Sequence, residues 1–379
     1  MAALAPALIE SRSGPDQRLP RALHPLAWWL WALGMAVAAS RTTNPLLLGA
    51  ILGVVSWVVV ARRSDNPWAK AFRLYVIAGA VIIALRVFFR LVFGGGDGGH
   101  VLVPLPEVAL PGAVAGIHLL GDVTAEALLG GLYDGLRLAT MLICLGAANA
   151  LANPRRLLRS MPPALHEVST AVVVAMSVFP QLAESVVRVT RARRLRPSIP
   201  GESRLAAVLA VVIPVLEDSL DRSVLLAASM DSRGYGRRAG RSSRASRAAG
   251  LLLVCGLAGI CVGANGVLDA TTPRVLAAPM LAAGVCVGVA GLALSGRAVS
   301  RSAYRPDRWR VAELVTAGAG IAAAVLLFVS SGVDASDLNP SLTPLSWPQL
   351  PLLPLAGILI GLVPVVAAPQ AASLEGASR

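Results

Sequence analysis

Residues 168–183 read VSTAVVVAMSVFPQLA. This apolar run is bounded by Arg155, Arg156 and Arg159 on one side and by Arg188, Arg191, Arg193, Arg194 and Arg196 on the other. A membrane span needs about 20 mostly apolar residues to cross roughly 30 Å of hydrocarbon, and the excess of arginine and lysine stays in cytoplasmic loops. A run of about 16 residues that is basic at both ends fits neither condition. Residues 205–230 repeat the pattern. They begin apolar, turn polar at Glu217-Asp218 and Asp221-Arg222, and lead into Arg233, Arg237, Arg238, Arg241, Arg244 and Arg247. If either segment crossed the membrane, one basic block would lie outside. The less costly arrangement keeps Arg155 to Arg247 on the cytoplasmic side, as amphipathic helices in or under the interface.

Working outward from this insert, charge alternation is regular. Residues 26–40 and 46–61 form an apolar pair around Asn44-Pro45, a turn signal. Residues 72–93 and 127–152 supply two more runs. The loop from Gly94 to Glu126 has no lysine or arginine but contains Asp97, Glu107, Asp122 and Glu126, whereas Arg62, Arg63, Lys70 and Arg73 make the preceding loop basic. The N-terminus and the basic loop are therefore expected inside and the acidic loop outside. After the insert come apolar runs 250–268, 275–294, 311–331 and 350–368. Arg297, Arg301, Arg305, Arg308 and Arg310 lie in one intervening loop, and Asp334 and Asp337 in another.

The expected fold is an all-α polytopic membrane protein, with about eight transmembrane helices and a cytoplasmic helical coupling domain inserted after the fourth. Its divisions are a leader (1–25), a four-span bundle (26–152), the coupling domain (153–248), a second four-span bundle (249–368) and a tail (369–379), both termini being cytoplasmic and the membrane the cell membrane. A signal peptide ending at Ala36-Val37-Ala38 is the competing reading of the first run. The charged leader and the second apolar run directly behind it argue against that reading.

Composition excludes other classes. Of 379 residues 55% are hydrophobic and 15% charged, and the mean hydropathy is +0.68. Soluble domains carry about 25% charged residues, and disorder needs low hydrophobicity. The net charge of +13 comes from arginine blocks between apolar runs, with Lys70 the single lysine. It follows the positive-inside pattern, with no nucleic-acid signature. Cys144, Cys255, Cys261 and Cys286 sit in apolar runs without CxxC spacing and read as small buried hydrophobes. His24, His100, His118 and His166 offer no ligand pair, so no metal site is expected. No Walker-type loop or nucleophile triad occurs, and no catalytic residue is expected.

Four charges fall inside apolar runs. Arg86 and Arg90 lie four apart, and Asp134 and Arg137 three apart. Such charges cost about 2.5–3.5 kcal/mol each on insertion scales. They read either as part of a proton or ion pathway or, preferably, as an Asp134–Arg137 pair with Arg86 and Arg90 snorkelling outward.

Two helices of the insert end in a small residue followed by arginine: Thr190-Arg191-Ala192-Arg193-Arg194 and Asp231-Ser232-Arg233-Gly234-Tyr235-Gly236. Small residues allow close backbone approach, and the arginine fork holds carboxylates or carbonyls. Gly234 and Gly236 suit a C-cap that needs positive φ. Two such tips in one insert suggest a paired docking device. Pro180 and Pro214 are either bends within these helices or helix boundaries.

With Leu23-His24-Pro25-Leu26, Asn44-Pro45, Gly135-Leu136-Arg137-Leu138-Ala139 and Phe179-Pro180-Gln181-Leu182 in the same order, residues 20–245 resemble the transmembrane T component of energy-coupling factor (ECF) transporters, the EcfT/CbiQ family. Ser232-Arg233-Gly234 resembles that family's Ala-Arg-Gly signature. At the first tip Ala192-Arg193 is kept and Arg194 stands where the family has glycine. The resemblance implies a non-catalytic scaffold joining two ABC-type ATPases to a substrate-binding S component, for uptake of a vitamin or transition-metal ion. It also implies that ATP is used by the partner ATPases, that no cofactor is bound directly, and that Ala192, Arg193, Arg194, Ser232, Arg233 and Gly234 dock the ATPases, with Arg193 and Arg233 as anchors. The alternatives are a conventional ABC importer permease with its own substrate path, and a membrane enzyme built on Asp134 and the His100/His118 loop.

Overall fold

The computed structural model describes residues 23–63, 71–93, 100–104, 108–109, 118–119, 122–161, 165–195, 203–235, 243–268, 273–296, 309–333 and 335–369. The leader before Leu23, Lys70, Asp97, Glu107, Arg196, the Gly236–Arg241 segment, the basic 297–308 loop, Asp334 and the tail after 369 lie outside the described residues. The chain is helical, as expected, with two short antiparallel ribbons in the acidic loop: β1 (Val101–Val103) with β4 (Val123–Thr124), and β2 (Val108–Ala109) with β3 (His118–Leu119).

The chain divides into two units. The first holds α1 (Pro25–Ser40), α2 (Pro45–Arg62), α3 (Phe72–Phe93) and α4 (Ala125–Leu151). It also holds α10 (Val311–Val333), α11 (Ala335–Leu338), α12 (Leu352–Ile360) and α13 (Val363–Ala367). Its core lies along α1 and α2, where Trp31, Met35, Leu47, Leu48 and Ile51 are fully buried. The late helices complete this core. α10 runs against α1 so closely that a Cβ on Gly34 would fall 2.2 Å from the Gly320 carbonyl oxygen, so glycine is required on both helices. The buried Trp31 Nε1 donates to the Gly361 carbonyl at 3.0 Å.

The turn between α1 and α2 is buckled to α11 and the segment that follows it. Asn44 caps α2 by accepting from the Leu46 N–H at 3.0 Å, and its amide donates to the carbonyls of Asp337 (3.1 Å) and Gln349 (2.6 Å). Thr42 Oγ1 donates to the Leu338 carbonyl at 2.6 Å. The outgoing and returning chain both meet the start of α1. In α5 (Pro154–Arg159), Arg156 donates to the Leu23 carbonyl at 3.3 Å, and the Trp309 ring lies 5.3 Å from that of His24, the α1 N-cap.

The second unit holds α6 (His166–Arg194), α7 (Arg204–Ser232), α8 (Ser243–Leu268) and α9 (Arg274–Gly296). α8 and α9 form a tight pair through small residues on the facing sides, Gly256, Gly259 and Gly284 among them. Their other faces are open. Cys255, Cys261 and Cys286 are exposed there, and only Cys144 of the four is buried, which corrects the expectation for three of them. In a membrane protein a small apolar side chain can face lipid as readily as a core.

Among the described residues seven helices are long and apolar enough to cross a bilayer: α2, α3, α4, a stretch of α6 from Val168 to Arg194, α8, α9 and α10. α6 is long and apolar enough because the helix runs unbroken past Ala183, so that residues 168–185 form an 18-residue apolar stretch with Glu184 as its one charge, whereas the charge pattern predicts an interfacial helix. Pro25–Ser40 and Leu352–Ala367, both expected as spans, are shorter apolar helices.

Candidate functional site

The two arginine tips belong to the second unit. Pro180 and Pro214 lie inside α6 and α7, so neither is a helix boundary. A proline in a helix interior removes one i→i−4 hydrogen bond and crowds the preceding turn.

α7 starts at Ser203, whose Oγ accepts from the Ala206 N–H at 3.2 Å, and ends in a Schellman motif. Arg233 is the C-cap. The Gly234 N–H donates to the Asp231 carbonyl at 2.9 Å, and the Tyr235 N–H reaches back to Met230 at 3.0 Å. This closure needs a left-handed residue after the cap, and Gly234 supplies it with φ +78°. Arg233 and Ser232 are exposed, at the end of a helix whose free carbonyls favour a cation.

The tip of α6 is built differently. Arg191, Ala192 and Arg194 are exposed, but Arg193 is half-buried and donates to the Ala207 carbonyl in the second turn of α7. Arg193 is thus committed within the chain while Arg194 stands open beside it. With Arg193 placed on Ala207, Arg233 lies about 26 residues further along α7, which is about 39 Å at the helical rise. The two tips stand at opposite ends of one long helix.

A second tie between α6 and α7 is one the sequence reading missed. Ser185, 2% exposed, donates from Oγ to Asp218 Oδ2 at 2.8 Å. Arg222 Nε donates to the other carboxylate oxygen at 3.0 Å. The Ser185 bond first and the Arg222 bond second hold the Asp218 carboxyl below the ordinary aspartate range, against a smaller opposing effect of burial. The spacing of Asp218 and Arg222 marks a helical pair in the sequence. Nothing in the sequence singles out Ser185.

The charges of α3 and α4 do not assemble into a relay. Among the described residues Asp134 and Arg137 form no pair, which corrects the preferred expectation. Arg137 donates instead to the Ser40 carbonyl, in the last turn of α1, where helix carbonyls lack partners. Asp134, Arg86 and Arg90 are exposed, and the β-carbons of Arg86 and Arg90 lie against Gly135 and Gly131 of α4. His100 Nδ1 is 3.0 Å from Glu126 Oε1, which also accepts the His100 N–H, so this pair holds the loop to the start of α4. No group of three or more histidine, cysteine, aspartate or glutamate side chains able to hold a metal ion occurs among the described residues.

Comparison with known proteins adds two findings. The family described as CbiQ, cobalt transport protein, matches residues 16–243. The chain is also 28% identical over 210 residues to the energy-coupling factor transporter transmembrane protein EcfT of Bacillus selenitireducens, a match covering 53% of this chain and 74% of that relative.

Proposed function

Because this chain belongs to the CbiQ cobalt transport family, we propose that its two arginine-tipped helices dock two ABC-type ATPases and pass their motion to a substrate-binding S component. Membership makes the chain an energy-coupling membrane component of an ECF-type transporter, working with ATPase and S components. The finer reading concerns how. Each tip enters a groove on one ATPase. Arg233 with Ser232 and Gly234 forms one anchor, and Arg194 with Ala192 forms the other, Arg193 steadying it from behind. Arginine suits this task because its rigid five-donor fork keeps its charge at any working pH. ATP binding and hydrolysis belong to the partners, and the cargo, a vitamin or a transition-metal ion, is selected by the S component. The tips face the cytoplasm, as do both termini.

The observation that carries this reading is the separation of the tips, about 39 Å along α7 at the helical rise. A single docking helix would meet one ATPase. Two tips this far apart in one chain can bridge two. A chain carrying Arg233→Glu is expected to lose co-purification of its ATPases, since truncating or reversing one partner of a buried charge contact costs about 2–5 kcal/mol. Undiminished co-purification would overturn the assignment of Arg233.

A further inference from the structure

The arginine tips are described by their ends, but α6 and α7 also meet along their length, and there the burial is concentrated. Nearly every described residue of both helices is open or half-open. Apart from Ser169 near its start, Ser185 is the buried described residue of α6, and Val215 is that of α7. Ser185 donates to Asp218, and Asp218 is held in turn by Arg222.

We propose that the Ser185–Asp218–Arg222 clamp is the fulcrum that fixes the angle between the two tip helices, making Asp218 a positioning residue for energy coupling. The inference rests on the docking function proposed above. With so few buried side chains on α6 and α7, apolar interdigitation contributes little to fixing their register. A directed hydrogen bond from a buried donor to a carboxylate held on its other side selects one register. The Arg193–Ala207 contact ties the same helices nearer their connecting loop. One tie would leave a hinge. Two ties on one pair of helices remove the rotation, so each tip is held relative to the other. From the clamp to Arg193 is about 12 Å along α6, and from the clamp to Arg233 about 22 Å along α7. Without the clamp, the Arg193–Ala207 tie alone would act as a hinge, about which the Arg233 end could swing.

The test uses the full chain purified with its ATPases, native cysteines replaced, and spin labels on cysteines introduced at the exposed Leu195 and Tyr235. The chain with Asp218 intact is expected to give one narrow label-to-label distance that shifts on adding ATP. Asp218→Ala is expected to broaden that distribution and reduce the ATP-driven shift at least about fivefold, the lower range of site-to-site coupling, with ATPases still bound. Asp218→Asn keeps an acceptor for Ser185 but loses the charge that faces Arg222, and should broaden the distribution less than Asp218→Ala does. Ser185→Ala, which removes one hydroxyl and leaves the Asp218–Arg222 pair, should broaden it if Asp218→Ala does not fold. A single narrow, ATP-responsive distance in either alanine variant would overturn the fulcrum. Loss of ATPases from the Asp218-intact chain would instead count against the docking function.

Discussion

Gly234 carries the geometry of the second tip, because its positive φ closes the α7 C-cap through the Gly234–Asp231 and Tyr235–Met230 bonds. A side chain there would meet no steric neighbour, so the cost of Gly234→Ala is conformational, about 1–2 kcal/mol for a left-handed non-glycine residue. Hydrogen exchange at the Tyr235 amide is expected to speed up about fivefold or more in that variant, and an unchanged rate would show that the cap closes some other way. Asp218 predicts a pH dependence of defined sign. A carboxylate whose folded pKa lies below its unfolded value contributes stability above the unfolded pKa and loses it as pH falls through the folded one. The clamp is therefore whole at neutral pH. The Leu195–Tyr235 label distance should stay constant down to about pH 5 and broaden only below about pH 4, the ordinary aspartate value. At this scale the tips were legible, because Ser232-Arg233-Gly234 announces a cap and a charge together. The destination of Arg193 was not legible, since a guanidinium reaching a backbone carbonyl on another helix leaves no pattern in the sequence. Arg137, which left Asp134 for the end of α1, is a second case of the same kind.

Helix existence followed from apolar length and turn chemistry, and Asn44-Pro45 gave the α1–α2 turn at the residue where it occurs. Two features escaped for physical reasons. The charge pattern predicts an interfacial α6, yet the helix continues past Ala183 without a break, so its apolar stretch reaches 18 residues and α6 qualifies by length and composition as a span. The late helices had no assigned purpose in the sequence because their partners lie some 300 residues away. Asn44 shows what they do: its buried amide satisfies the carbonyls of Asp337 and Gln349 while its oxygen caps α2. Asn44→Ala removes the cap and strands two carbonyls, with an expected loss of about 2–4 kcal/mol. Thermal unfolding of the purified chain in detergent should show this as a lowered midpoint. A midpoint equal to that of the parent would mean that the 335–349 segment holds to α1 and α2 without it.

Across the whole molecule, a helical bundle completed by its own C-terminal helices stands in one unit, and the arginine-tipped pair stands in another with α8 and α9. Each unit holds helices long and apolar enough to cross a bilayer, and the second also carries both arginine tips. Family membership supplies the transport role, and the proposed bridging of two ATPases rests on the length of α7. The most direct measurement places photo-crosslinkers at Leu195 and Tyr235, beside the two tips, in membranes containing the assembled transporter. Each position is expected to capture an ABC ATPase, and the doubly substituted chain to give a product of one chain with two ATPase subunits or domains. Capture of an ATPase at one position alone, or reaction of Tyr235 only with reagents supplied from outside the cell, would contradict the account.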